Sequence, residues 1–273
     1  MKNIKAFLSS LRISRHIYYT AVFCAGYDMA IKMCSSTLHA LLLIEGFFLI
    51  NILFAASLIL NNIYDAPIDA VNNKGNTLNI TGVTQRGYLY AFFFLLATSV
   101  SLSLAVSIPV LIAVIAIHVA AWIYSCPPFR LKKYFPVNTL LIAFSTSLAL
   151  VLGYLLAGGI FSKLPFAAIA VFTALLFMAF NTKDVNDYEG DKKYSVMTLM
   201  TIFGPEKGRF VTASLAYAAY LLVPLLLHSA LMLAPSIILG GATFYIIMRK
   251  GKVNEAIVFA LMFIYAALFF KLA

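Results

Sequence analysis

The chain has 273 residues, 63% of them hydrophobic and only 11% charged, with a formal net charge of +10. A soluble domain carries about 25% charged residues, so a water-facing globular enzyme is excluded. The excess of Lys and Arg is read first as membrane topology and not as a nucleic-acid surface; Cys24, Cys34 and Cys126, with no CxxC or Cys/His spacing, suggest neither disulfides nor zinc.

The first 15 residues are basic and partly apolar and lack a small-residue cleavage site. They predict an uncleaved interfacial helix whose Lys and Arg meet anionic headgroups. A spanning helix takes about 20 mostly apolar residues, and nine such runs follow, at 16–34, 40–62, 88–107, 109–125, 137–158, 164–182, 209–228, 230–248 and 254–272. Breaks fall at Pro109, Cys126-Pro127-Pro128, Gly158-Gly159, Pro165 and Pro235. Ser107-Ile108-Pro109 leaves almost no loop between the third and fourth runs. In the first run, Asp28 and Lys32 are spaced to neutralise each other across one helical turn.

With the amino terminus in the cytoplasm, 17 of the 20 basic residues fall on cytoplasmic segments and only Lys32, Lys163 and Lys271 fall elsewhere. That asymmetry supports both the span count and the orientation. The expected fold is an all-α, multi-pass protein of the cell membrane. It forms a single domain over 1–273, with nine helices bundled around a central cavity open to the cytoplasmic side.

Six of the ten acidic residues lie in two short stretches at the cytoplasmic ends of the second and sixth runs. In the first stretch Asn61, Asp65 and Asp69 are spaced i, i+4, i+8 along one helix face, with Pro67 predicting a kink. In the second, Asp184, Asp187 and Asp191 are spaced i, i+3, i+7, again predicting one helix face. Two even-numbered spans ending this way are expected to face each other across the bundle. Carboxylates stacked at one-turn intervals repel unless a cation relieves them. Oxygen ligands without His or Cys favour magnesium, which binds one or two carboxylates plus phosphate.

Basic residues share those loops: Lys74; Arg130, Lys132 and Lys133 after a double proline; Lys183, Lys192 and Lys193. A ligand gripped by both magnesium and cations is phosphorylated, and no P-loop or dinucleotide fingerprint is present. A diphosphate head at the edge of an apolar bundle points to a prenyl diphosphate, its tail lined by some of the 23 Phe and 15 Tyr.

These motifs resemble the UbiA superfamily of intramembrane prenyltransferases. Its first motif has the form N-D-x-x-D-x-x-x-D, fitted by Asn61, Asp65 and Asp69, with Asn62 replacing the first Asp. Its second often reads K-D-x-x-D-x-E-G-D, matched by Lys183, Asp184, Asp187, Glu189, Gly190 and Asp191. Its Y-S-x-P-P-x-R-L-K loop is matched by Tyr124, Ser125, Pro127, Pro128, Arg130, Leu131 and Lys132. The resemblance implies that Asn61, Asp65, Asp69, Asp184, Asp187 and Asp191 hold two Mg2+ ions on the diphosphate. Lys74, Arg130, Lys132 and Lys183 then bind its oxygens, and Tyr124 lies near the nascent carbocation. Asp65, Asp69, Asp187, Asp191 and Tyr124 become the catalytic set. The implied reaction is Mg2+-dependent transfer of a polyprenyl group, geranylgeranyl in type, to a hydrophobic or amphiphilic lipid or aromatic acceptor in the membrane. Two departures stand out: Asn62 itself, and Asn73-Lys74-Gly75-Asn76-Thr77-Leu78 where the family has an Arg-Pro-like stretch. They keep a catalytically impaired member in play. A cation-coupled transporter is the rival of another class, although the central spans carry no acids.

Overall fold

The structure is a computed structural model describing residues 7, 10–34, 39–71, 81–226 and 228–272. Lys74 and the rest of the 73–78 stretch therefore lie outside the described residues. All regular structure among the described residues is helical. Nine helices among the described residues have fifteen residues or more: α1 (Ile13–Cys34), α2 (Ala40–Val71), α3 (Gln85–Val106), α4 (Ile108–Ser125), α5 (Val137–Leu156), α6 (Phe166–Phe180), then α9 (Pro205–Leu226), α10 (Leu233–Met248) and α11 (Glu255–Leu272). Two short helices, α7 (Tyr188–Lys193) and α8 (Leu199–Phe203), stand between α6 and α9. Among the described residues, seven segments are long and apolar enough to cross a membrane. The apolar runs read from the sequence coincide with these nine helices to within a turn at most ends, because in hydrocarbon only a helix satisfies every backbone group internally.

Two differences bear on the site. The second run was expected to end near residue 62, yet α2 continues through Pro67 to Val71. Asn62, where that apolar run stops, is buried at 1% exposure. The tight turn after α3 is resolved by one residue: Ser107 closes α3 and caps α4, its hydroxyl accepting from the Val110 N–H at 3.4 Å.

By packing, the chain divides into two compact units. Unit 1 comprises residues 1–132 and 141–173. Its larger core joins α1, α2, α4 and α5 through Phe23, Tyr27, Leu49, Leu53, Val114 and Leu152. The backbones of α1 and α5 touch there: a Cβ on Gly26 would lie 1.9 Å from the Leu150 carbonyl oxygen, and one on Gly153 would lie 2.0 Å from that of Phe23. Without a hydrophobic drive between helices in lipid, small residues that admit such an approach supply the packing. Asp28 and Lys32 pair at 2.7 Å on the exposed side of α1, as their spacing predicts.

Unit 2 comprises residues 133–140 and 174–273. Val185, Met200, Ala213, Ile247 and Val253 form its larger core. A buried polar seam joins its long helices, with Tyr265 donating to the Tyr220 carbonyl at 2.9 Å and lying 2.7 Å from the Ser236 hydroxyl. The Arg209 side chain crosses to the end of α10 and donates to the carbonyls of Ile247, Arg249 and Gly251, closing helix-end groups that would otherwise lack partners.

Candidate active site

In unit 1 the first motif occupies the last turns of α2. Pro67 has no N–H for the Ile63 carbonyl, so that one hydrogen bond of the helix is not made. The adjacent Tyr64 carbonyl accepts Nη2 of Arg130 at 2.7 Å. Arg130 follows the double proline, is turned by a left-handed φ of 42°, and donates its own N–H to the Cys126 carbonyl at 2.8 Å. A 3₁₀ turn over Leu131–Lys133 then carries Lys132 inward. Its ammonium, on a side chain only 5% exposed, pairs with Asp65, and Arg130 Nη2 stands 3.8 Å from the same carboxylate. The loop thus aims both cations at the carboxylate the spacing singled out.

Asp69 is buried, and Arg12 Nη2 lies 3.9 Å from its Oδ2. Arg12, read from the sequence as a headgroup contact, instead serves the first motif. Asn61 and Tyr124 are half-buried on α2 and on the last turn of α4. Burial pushes the Cys126 thiol up, against the pull of its hydrogen bond with Tyr64. A buried neutral thiol is a packing group and not a nucleophile. Among the described residues, Arg130 Nε is a buried donor without a hydrogen-bond partner. An orphaned buried donor costs about 1–3 kcal/mol.

In unit 2 the second motif is not the single α-helical face the sequence predicts. Asn181–Asn186 form a 3₁₀ helix, Asp187 sits at the junction, and α7 follows. The Asp187 N–H donates to the Asp184 carbonyl at 3.1 Å, and the Asp191 N–H to the Asp187 carbonyl at 2.9 Å. Residues three apart eclipse in a 3₁₀ turn, and residues four apart nearly do in an α turn. The spacing is therefore carried by a 3₁₀ turn up to Asp187 and by an α turn beyond it. Asp184 and Asp191 are buried and Asp187 is half-buried, whereas Glu189 is exposed. Lys183 Nζ meets Asp184 Oδ1 at 2.5 Å.

A residue the sequence reading passed over fixes this segment. Asn186 accepts from the Val253 N–H at 2.8 Å and donates to the Val253 carbonyl at 2.9 Å and to Glu255 at 3.3 Å. An Asn within an acidic run carries no charge, so its spacing gives no signal. Its use as a two-way backbone clamp depends on a loop almost seventy residues away.

The sequence pattern of the UbiA prenyltransferase family matches residues 20–270. The chain belongs to this family. It is 28% identical to homogentisate solanesyltransferase of Arabidopsis thaliana over 72% of this chain and 56% of that one. It is 31% identical to digeranylgeranylglyceryl phosphate synthase of Natronomonas pharaonis over 61% of this chain and 58% of that one. The chain thus spans less than two thirds of the length of either relative. Its fold is similar to that of a UbiA homolog from Archaeoglobus fulgidus bound to GPP and Mg2+, with a TM-score of 0.72, 21% identity and 96% of both chains covered. Family and apolar helices together make this an integral, multi-pass membrane protein.

Magnesium fits the donors this UbiA chain presents. Among the described residues, neither unit gathers three or more His, Cys, Asp or Glu into a metal-holding group. Magnesium does not need one, since it usually keeps waters and takes one or two carboxylates plus phosphate. Each motif offers buried oxygen donors, and in unit 1 the orphaned Arg130 Nε–H asks for an anionic acceptor.

Proposed function

We propose that the chain transfers a prenyl group from its diphosphate to an amphiphilic acceptor within the membrane. The buried Arg130 Nε–H beside Asp65 carries this reading. The cluster already balances its own carboxylates with cations, and what it lacks is an acceptor such as a phosphate oxygen. Asn61, Asp65 and Asp69 would hold one magnesium ion, and Asp184, Asp187 and Asp191 a second. When bound, these ions neutralise charge growing on the departing diphosphate.

The residues of the chain do the rest. Lys132 and Arg130 exchange Asp65 for diphosphate oxygens, Arg130 with a fork suited to two of them. Lys183 makes the same exchange from Asp184, and Lys74 adds a further point charge. As the allylic C–O bond breaks, its electron pair leaves with the diphosphate, and the face of the Tyr124 ring stabilises the cation left behind. The apolar helices keep water away until an acceptor oxygen or ring carbon forms the new bond and loses its proton.

The donor is geranylgeranyl in type, and the acceptor an aromatic ring or a glycerolipid. The names of the homogentisate and glyceryl phosphate relatives support that pair, and the neighbour bound to GPP and Mg2+ supports the donor chemistry. Nine spans, a cytoplasmic amino terminus and a cavity opening to the cytoplasmic side complete the reading, supported by the placement of Lys and Arg. The test is transfer by the purified chain in lipid with Mg2+ and labelled geranylgeranyl diphosphate, offering homogentisate or geranylgeranylglyceryl phosphate. A prenylated product lost on chelation is expected. No product, with no Mg2+-dependent binding of the donor, overturns the reading and leaves the impaired or transporter alternative.

A further inference from the structure

The chain just before α1 is latched onto the first motif by groups that no ligand-binding role explains. Phe7 and Leu11 pack against the apolar cluster around Ile59, Ile63 and Tyr88. The Ser10 hydroxyl lies 3.1 Å from the buried Tyr88 hydroxyl. Asn62, buried at 1% exposure, donates its side-chain amide to the Ser10 carbonyl at 3.1 Å. Nε2 of His16 lies 3.0 Å from the Leu11 carbonyl, which can only accept, so the ring donates there. Nδ1, on the other edge of the ring, lies 2.8 Å from the Asn51 side-chain amide.

Between these latches the backbone turns through Arg12, whose φ of 49° is a left-handed conformation that a side chain bearing a Cβ adopts at a cost. The Arg12 carbonyl is closed by the Arg15 N–H at 2.8 Å, and its guanidinium lies 3.9 Å from Asp69. Carbonyls clamped on the two preceding residues over-determine that turn, which is what a strained conformation requires in order to persist.

We propose that Asn62 and His16 are positioning residues that lock the Ser10–Arg12 turn and make Arg12 the fixed counter-ion of Asp69. This rests on the diphosphate reading above for its effect on catalysis, and on this geometry alone for the latch. It gives Asn62 a purpose that an Asp at the same place cannot serve. A carboxylate has no N–H for the Ser10 carbonyl and would set two acceptors against each other. Asn62 is therefore not a weakened metal ligand but a donor, and the first motif acts through Asn61, Asp65 and Asp69.

Hydrogen exchange of the peptide covering residues 7–15, measured in lipid nanodiscs beside steady-state kinetics, tests this. Asn62→Asp and His16→Leu should each speed exchange and raise the KM for the prenyl diphosphate about tenfold, as expected for one buried hydrogen bond lost. Turnover should stay within about twofold, since the loss falls on binding. His16→Gln, whose amide keeps a donor for Leu11, should track the wild type. Asn62→Ala, which adds no charge, replaces Asn62→Asp should the latter not yield a monodisperse protein. Wild-type exchange in these variants, or an Asn62→Asp chain that binds Mg2+ more tightly and turns over faster, overturns the proposal. Faster exchange with KM unmoved overturns the positioning role. A wild-type chain inactive with every donor defeats the functional reading separately, because exchange still decides the latch.

Discussion

The two acidic motifs carry similar carboxylates but are built in opposite ways. In unit 1, Asp65 and Asp69 stand on a continuous helix and take their cations from remote segments: Arg12 from before α1, Arg130 and Lys132 from the loop after α4. In unit 2, among the described residues, Asp184 pairs with its neighbour Lys183, and Asn186 adds a neutral clamp to the remote Val253. The first is an electrostatic assembly set by tertiary structure, whereas the second is a local segment pinned by its backbone. A buried charge is costly unless paired, and breaking a buried pair costs more than breaking one open to water. The same substitution should therefore have different consequences in the two motifs.

The largest effect sharpens this contrast. Asp65→Ala and Asp187→Ala should each reduce transfer by at least about a hundredfold, the scale for removing one group that stabilises developing charge. They should part in stability. Asp65→Ala takes away the carboxylate shared by Arg130 and the buried Lys132, and should cost about 3–5 kcal/mol. Asp187→Ala, at a half-buried junction, should stay within about 1 kcal/mol. Thermal unfolding in detergent beside a product assay measures both. Equal destabilisation would break the comparison, and unchanged turnover in either variant would remove that motif from the chemistry.

The helices were legible because lipid leaves little choice: an apolar run of sufficient length must be helical to satisfy its backbone. Asp28 with Lys32, and the one-residue turn at Ser107, were legible because their logic is local. The end of α2 was less so, since the apolar run stops at residue 62 while the helix continues through Pro67 to Val71. Only the fold shows that Asn62 is buried and bound to Ser10. The carboxylates were found from their spacing, and the Pro-Pro loop pointed to Arg130 and Lys132. Neither Arg12 as the partner of Asp69 nor Asn186 as a clamp has a sequence signature. One joins residues far apart in the chain, and the other uses an uncharged side chain. The 3₁₀ form of the second motif was hidden for a related reason: an i, i+3, i+7 spacing suits an α-helix equally well, and the remote Val253 that Asn186 holds at the end of the 3₁₀ helix leaves no mark on it.

A middle-sized effect tests whether unit 1 recognises its ligand by geometry or by charge alone. Arg130→Lys keeps the charge but removes Nε–H and the fork that also reaches the Tyr64 carbonyl. The KM for the prenyl diphosphate should rise about tenfold with little change in stability, because an ammonium cannot replace bidentate recognition. A donor titration in lipid measures it. A KM at the wild-type value would mean that Arg130 only neutralises Asp65, and the orphaned donor would lose its significance.

The smallest effect probes the neutral clamp in unit 2. Asn186→Ala removes a donor to Val253 and an acceptor for it while leaving every charge of the motif in place. The stability cost should be about 1–2 kcal/mol, in line with three partly exposed hydrogen bonds, and the KM for Mg2+ should rise only a few fold, because Asn186 neither holds the ion nor bonds to a carboxylate of the motif. Asn186→Asp is the more discriminating partner. It retains the acceptor for the Val253 N–H but loses both donations and sets a new carboxylate beside Glu255, so a clamp predicts that it behaves no better than Asn186→Ala. If instead Asn186→Asp tightened Mg2+ binding and restored turnover, the residue would be a ligand held in reserve. The second motif would then be an electrostatic assembly like the first.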